Sequence, residues 1–472
     1  KQALETCHNF DEALHGEPEK ALRHAKAATH FCLAALDLSG RYPLDQVTHA
    51  LTVFADASEH TALQVTAQRQ SLSLDGLAMF ALGKMGAHEL NYSSDIDMAA
   101  FFDARRFNGG VREPAEAATR LVRHAMSLLE TRTGEGYVFR TDLRLRPDTS
   151  ANPLAISTRR AELYYESVGQ NWERMAWIKG RACAGDAATG DAFLGAMQPF
   201  VWRKHLDYWA IADVQAIKSM INATHAPEAL ADPASDLKLG PGGIREIEFF
   251  AQTQQIILGG RNQSLRVRGT QEALTCLGDA GVVIPTVAAE LSTAYTVLRT
   301  VEHRIQMRED AQTHNLPRDD ATRAAVSALC GSSDLTTFDK LILETRTCVH
   351  THYQDLFAAE ARKAQAAQSG NLVFTGVDDD PETLKTLEGM GFQTPSNVIA
   401  TIRRWHRAKT PATRTQRGRE LLTALLPDLL NSMSATGAPD AAFVRFSRFF
   451  EGLRSGIQTL SMLMAEPRLR DD

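Results

Sequence analysis

Asp95 and Asp97 stand two residues apart where a glycine- and serine-bearing loop runs into an apolar stretch, and Asp142 follows further along among arginines. A spacing of two on a strand turns both carboxylates to one face. Two unit charges held ~4 Å apart at an effective dielectric of 20 repel by about 4 kcal/mol. Such a pair calls for a divalent cation or an open strand end. All-oxygen ligation suits Mg²⁺ or Mn²⁺ rather than zinc or copper.

The Asp142 segment strengthens that reading. If residues 137–145 form a strand, Arg140, Asp142, Arg144 and Arg146 alternate onto one face, and Phe139, Thr141, Leu143 and Leu145 onto the other. An acid among guanidiniums fits a surface that grips phosphate beside a metal. Asp95, Asp97 and Asp142 are therefore the expected metal ligands and catalytic residues, and Arg144 and Arg146 the leading phosphate ligands. Lys84, Lys179 and Arg245 are lesser phosphate candidates, and Ser93 and Ser94 complete the loop before Asp95. Gly83-Lys84 is not a P-loop: no Ser or Thr follows Lys84, and no glycine lies five before Gly83. What remains is a glycine turn through which backbone N–H groups can approach a phosphate. Gly240-Pro241-Gly242-Gly243 opens a helix with a polar stripe of Arg245, Glu248, Gln252 and Gln255. That face, with Glu246 and Glu248, is expected to line the cleft.

These residues need elements to hold them. Residues 1–72 read as helical, with an Ala/Leu-rich helix over 21–38 that Ser39-Gly40 stops. Short apolar runs at 77–82, 96–102 and 137–145 read as strands, with a helix over 114–133 between the last two, making a compact α/β core at 73–200. From 201 to 364 the texture is a helical bundle, with long helices expected at 206–223, 244–258 and 289–310. Residues 365–382 read as a linker, and 383–472 as a last helical segment without a core of its own. Trp172, Trp177, Trp202 and Trp209 are expected as core anchors. His303, next to Glu302, reads as a hydrogen-bonded helix residue rather than a base.

Composition sets the outer bounds. The 472 residues carry 57 acidic and 51 basic side chains, a net charge of −6, which opposes broad sequence-independent nucleic-acid binding. No apolar run reaches bilayer-spanning length. The six cysteines show no C-x-x-C pair and no zinc-like spacing with histidine, as expected of free, mostly buried thiols in a reducing cytoplasm. The first residue is not methionine and no signal segment follows, so the chain reads as a fragment or a trimmed protein.

Residues 83–97 and 139–147 resemble the polymerase-β-like nucleotidyltransferase domains of the bifunctional glutamine synthetase adenylyltransferase/adenylyl-removing enzymes. That family has two related catalytic halves, one attaching AMP to a tyrosine of glutamine synthetase and one removing it by phosphorolysis. Asn91–Asp97, Asn171–Ala176 and Gly242–Phe249 resemble the removing, N-terminal half. The attaching half would carry Gly-Tyr before the serines, a leucine between the acids and no Arg-Glu pair after the double glycine. The resemblance extends through Gly259-Gly260-Arg261 and Val301–Arg304, and a second D-x-D site is missing. One departure is that Asp148–Leu154 replaces the family's glycine and Ser-Gly after Arg146-Pro147.

The resemblance implies an α+β, predominantly helical fold. A polymerase-β-like core with a small mixed sheet would be flanked by N-terminal helices and a C-terminal helical bundle. It implies Mg²⁺ or Mn²⁺, as two ions, with phosphate as co-substrate and ADP as product. The implied partners are adenylylated glutamine synthetase and the PII signalling protein, with neither nucleic acid nor membrane. The rival readings are adenylyl transfer from ATP at the same site, and a non-catalytic scaffold that senses nucleotide.

Overall fold

A buried strand starts the core. Leu77–Ala81 (β1) is buried at every position, because helices cover both faces of the sheet it belongs to. The structure is a computed structural model that describes residues 16–110, 112–202, 230, 232, 234, 236–367, 381–406, 410–413, 416–453 and 456–465. The chain divides into two compact units, Lys1–Ala359 and Glu360–Asp472. The helix expected at 206–223, Trp209, and most of the linker expected at 365–382 lie outside the described residues.

In the first unit, Pro18–Leu38 (α1) and Leu44–Gln70 (α2) precede β1. One turn of helix, Gly83–Gly86 (α3), leads through a loop into Asp95–Phe102 (β2). Pro114–Glu130 (α4), Arg140–Asp142 (β3) and Ala155–Ser157 (β4) follow. Thr158–Ser167 (α5), Asn171–Ile178 (α6), Arg181–Gly185 (β5) and Ala187–Val201 (α7) complete this part.

β1 pairs antiparallel with β2 on one side and β5 on the other. The far side of β2 is shared by two short parallel strands, β3 along its first half and β4 along its second. Side-chain alternation then divides the core. Leu77, Met79, Ile96, Met98 and Ala100 pack with α1, α2 and α4, whereas Ala78, Phe80, Ala99 and Phe101 pack with the aromatics of α5, α6 and α7. By the same parity Asp95 and Asp97 lie on the Phe101 face.

The strand expected at 137–145 is only Arg140–Asp142. The Asp142 carboxylate accepts the Arg144 backbone N–H at 2.8 Å, and Arg146 Nη1 donates to the Leu143 carbonyl at 2.7 Å. These local bonds replace the ladder and turn the chain. β4 and β5 were not expected; the small side chains of Arg181-Ala182-Cys183-Ala184-Gly185 give no apolar run. Trp177 and Trp202 are buried, but Trp172 is 42% exposed, because it lies on the far side of α6 from Trp177.

Among the described residues, five α-helices follow: Ile244–Leu258 (α8), Thr270–Asp279 (α9), Pro285–Glu309 (α10), Asp320–Leu329 (α11) and Leu335–Ala367 (α12), the last running past the end of the first unit. They enclose a core that includes Ile247, Leu274, Leu298, Val326 and Ile342. The architecture is α+β and mostly helical, with one small mixed sheet. None of the described helices is long and apolar enough to cross a membrane.

The second unit corrects the expectation of a coreless tail. Pro381–Gly389 (α13), Pro395–His406 (α14), Gln416–Ala435 (α15), Pro439–Gly452 (α16) and Ile457–Ala465 (α17) surround their own core, with Trp405, Leu422, Leu430, Phe450 and Leu460 almost fully buried.

Candidate active site

The β2–β3 register brings the three acids together. Asp95 pairs with Arg140, Ile96 with Thr141, and Asp97 with Asp142. Directly paired residues on neighbouring strands point the same way and lie about 4.8 Å apart. Asp142 therefore shares the face of Asp97, and Asp95 joins them one pleat earlier.

Gly83 shows how tightly Asp97 is seated. Its φ is +53°, and a Cβ there would overlap the Asp97 carboxylate. Only glycine both adopts this left-handed conformation freely and leaves room for the acid. The Leu82 N–H donates to the Asp97 carbonyl at 2.9 Å, fixing the same corner from the backbone side.

Charge is crowded there. Burial raises the Asp97 carboxyl to about 6, and the Asp95 and Asp142 carboxylates push it the same way. Asp142 is held below the usual range, chiefly by Arg144, whose Nε donates to both its oxygens at 3.0 and 2.9 Å. Asp95 accepts from Gln312 Nε2 at 2.8 Å. Three carboxylates share this face of β2 and β3, one of them driven toward its protonated form by burial and by the other two; their oxygens lie too far apart to share an ion without moving, and an all-carboxylate donor set suits a hard divalent cation drawn between them. An open cavity of about 790 Å³ adjoins them, lined by Asp95, Asp142, Arg123, Arg140, Arg144 and Arg146 among others.

The other expected site residues divide. Arg144 and Arg146 line this cavity, although Arg146 also donates to the Pro153 carbonyl at 3.1 Å. Ser93 is buried; its N–H donates to Gln306 Oε1 at 3.0 Å, and its carbonyl accepts from Arg140 Nη2 at 2.8 Å. Ser94 is half-buried just before Asp95.

Lys84 is buried against Glu302, with Nζ 3.3 Å from Oε1, and burial lowers it to about 8. Lys179 is buried between Glu89 and Glu248, 3.0 Å from each. Although its burial favours neutrality, those two carboxylates hold it well above the ordinary lysine range. Burial raises Glu248, but Lys179 and Lys84 outweigh this and bring it to about 2. Glu246 turns to α12: it accepts the Gly242 N–H at 3.0 Å and lies 3.2 Å from His350 Nδ1. Arg245 exerts its charge on Tyr353 of α12. Lys179 and Glu248 thus sit in ion pairs on the side of the α3 loop, while Glu246 is turned to His350 of α12. Gln255, expected on the same polar stripe, is buried and donates to the Leu265 and Val267 carbonyls at 2.8 Å.

Several contributors escaped the sequence reading. Lys238, in the turn before α8, lowers the Asp97 carboxyl by its charge, as Lys84 does. One face of α10 clamps the loop that delivers Asp95. Arg299 Nη2 donates to the Glu89 carbonyl at 2.6 Å and to Asn91 Oδ1, His303 Nε2 lies 3.2 Å from the same Oδ1, and Gln306 receives Ser93. His303 is a buried, hydrogen-bonded helix residue, as expected. The periodic spacing of Arg299, His303 and Gln306 is visible in the sequence, but their burial is not. Asp148 takes φ +35° and accepts from the Ser150 hydroxyl at 2.6 Å. An aspartate bonded to its own turn tolerates that conformation.

Comparison with known proteins places the sequence beside one family. Residues 1–196 match the family described as glutamate-ammonia ligase adenylyltransferase, and residues 215–357 match GlnD PII-uridylyltransferase. A bifunctional glutamine synthetase adenylyltransferase/adenylyl-removing enzyme of Caulobacter vibrioides is 51% identical, over 97% of this chain and 48% of its own length. Relatives with the same description from Rhizobium meliloti and Agrobacterium fabrum are each 44% identical, over 95% of this chain and 47% of theirs. The chain spans about half the length of these curated relatives.

Proposed function

This chain belongs with the bifunctional glutamine synthetase adenylyltransferase/adenylyl-removing enzymes, and we propose that it is the adenylyl-removing half, transferring the AMP group from a modified tyrosine of glutamine synthetase to phosphate, with ADP and the free tyrosine as products. The observation that carries the proposal is the pairing of Asp97 with Asp142 across β2 and β3, with Asp95 on the same face. The direction rests on Asn91–Asp97, with isoleucine between the acids, and on the Arg245-Glu246 pair after the double glycine.

Asp95, Asp97 and Asp142 would hold two Mg²⁺ or Mn²⁺ ions. When bound, these supply the positive charge that stabilises the attacking and departing oxygens. The chain itself contributes position and charge. Arg144, which would leave Asp142 where that carboxylate holds a metal ion, and Arg146 at the cavity rim would receive the incoming phosphate, which must approach an anionic phosphodiester. Arg140 keeps the loop in place by donating to both the carbonyl and the hydroxyl of Ser93. The departing tyrosine is a phenol of pKa about 10, so positioning and electrostatics dominate over acid catalysis. A PII-type regulator is the second partner we propose, on the match of residues 215–357 to the PII-uridylyltransferase description.

The relatives' description names both activities, so the same acids running forward with ATP are the alternative. Incubation with adenylylated glutamine synthetase, Mg²⁺ and phosphate decides between them. Phosphate-dependent ADP formation supports removal. Release of AMP, or AMP incorporation from ATP into unmodified glutamine synthetase without ADP formation from the modified protein, overturns it.

A further inference from the structure

Among the described residues, one group of histidine, cysteine and carboxylate donors outside the acid cluster lies close enough to share an ion: Glu290, Cys348 and His352. We infer that these three side chains form a zinc site joining α10 to α12.

Cys348 and His352 are four apart on α12, so thiol and imidazole project from one helix face one turn from each other. Glu290 reaches them from the first turns of α10. His352 Nε2 lies 2.7 Å from Glu290 Oε2, and Cys348 Sγ lies 4.0 Å from the same oxygen. All the donor atoms lie within 4.8 Å of one another. Tetrahedral zinc, with bonds of about 2.3 Å to sulfur and about 2.0–2.2 Å to nitrogen and oxygen, needs its donors roughly 3.2–3.7 Å apart. The glutamate–histidine contact must therefore open by about half an ångström and the glutamate–sulfur distance close by a similar amount. The Glu290 side chain is 54% exposed and free to make that adjustment, while His352 is 20% exposed, leaving room for a water as fourth ligand.

The donor chemistry selects the metal. A thiolate with an imidazole and one carboxylate suits zinc, whereas three carboxylates such as those of β2 and β3 suit Mg²⁺ or Mn²⁺. The two sites thus divide hard from soft cations. On binding, the Cys348 thiol gives its proton to solvent and the imidazole coordinates in its neutral form. An ion here would staple the start of α10 to α12. Nine residues further along α10, about 14 Å by helix rise, Arg299 begins the clamp on the catalytic loop. The arrangement escaped the sequence reading because Glu290 is remote in the chain and a lone Cys-x-x-x-His step has no second pair.

The test uses the whole chain, stripped of metal and titrated with Co²⁺ and then Zn²⁺. One cobalt is expected to produce a thiolate-to-metal charge-transfer band, which zinc removes and millimolar Mg²⁺ does not. Cys348→Ser should abolish the band and weaken zinc by at least about 100-fold, more than the loss of an outer-shell partner usually costs. Glu290→Gln, at an exposed side chain that cannot endanger the fold, should weaken zinc by about tenfold. Cys276→Ser should change nothing. Zinc should raise the melting temperature of the wild type and not that of Cys348→Ser. No charge-transfer band, a band that survives Cys348→Ser, or zinc affinity untouched by Glu290→Gln overturns the site and leaves a histidine–glutamate hydrogen bond beside a bystander thiol.

Discussion

Two groups of acids flank the loop between Gly83 and Asp97, and they are solved in opposite ways. On the α8 and α10 side, Glu89 and Glu248 share Lys179, and Glu302 faces Lys84, Arg299 and His314. On the sheet side, Asp95, Asp97 and Asp142 face one another. Their compensation is an exposed arginine on Asp142, an amide on Asp95 and the more distant charges of Lys84 and Lys238. The first group is neutralised from within and holds helices to the loop. The second is short of positive charge and opens onto a cavity. Buried acids alone do not mark a site; acids whose counter-charge the chain has not supplied do.

The sharpest way to break this comparison is to remove one acid from each group. Asp97→Asn should lower turnover by at least about 10³-fold, since metal charge stabilisation is worth several kcal/mol, while circular dichroism stays that of wild type and stability does not fall. If Asp97 were a scaffold residue like Glu248, the variant would instead lose stability. Lys179→Met should show the reverse pattern. Stranding Glu89 and Glu248 without their cation costs about 3–5 kcal/mol of unfolding free energy, read by denaturant titration. Unchanged stability there would erase the distinction between the two groups.

A smaller effect concerns pH. Asp97 titrates near 6 in the folded chain, against 3.8 when unperturbed, so between those values the native state keeps a proton that the unfolded chain has lost. Stability from this group is present at low pH and is lost as pH rises through that window, on the order of 3 kcal/mol in all. Without divalent metal, the stability difference between wild type and Asp97→Asn should therefore widen from pH 4 to pH 7, in favour of the variant. Adding Mn²⁺ at pH 7 should stabilise the wild type alone. A difference that is flat with pH would mean that the acids do not crowd. The smallest effect is expected at Arg144, whose side chain is 83% exposed. Arg144→Ala should leave stability near that of the wild type yet raise the KM for phosphate. An unchanged KM would remove Arg144 from the phosphate path.

The acids were legible because strand spacing and residue type together encode both their direction and their repulsion. The buried strand at β1, the amphipathic α4 and the α8 helix were legible through apolar periodicity. The sequence misled where burial decides a charge's role. Lys179, Glu246 and Glu248 look like cleft residues, and only the packing shows Lys179 and Glu248 paired with each other and Glu246 turned to His350. It misled also where a side chain overrides local alternation, as Asp142 and Arg146 do in ending β3 after three residues. The core of 383–472 was missed because its apolar residues are spread over separate helices, and only their packing, not the pattern of any one segment, shows that they share a common centre.

The most direct test of the central claim is anomalous diffraction from crystals of this chain soaked in Mn²⁺. The account predicts manganese density bridging the carboxylates of Asp95, Asp97 and Asp142, with the Arg144 guanidinium displaced from Asp142. Manganese bound elsewhere with these three carboxylates bare, or an Asp142 still forked by Arg144 at saturating metal, would contradict it.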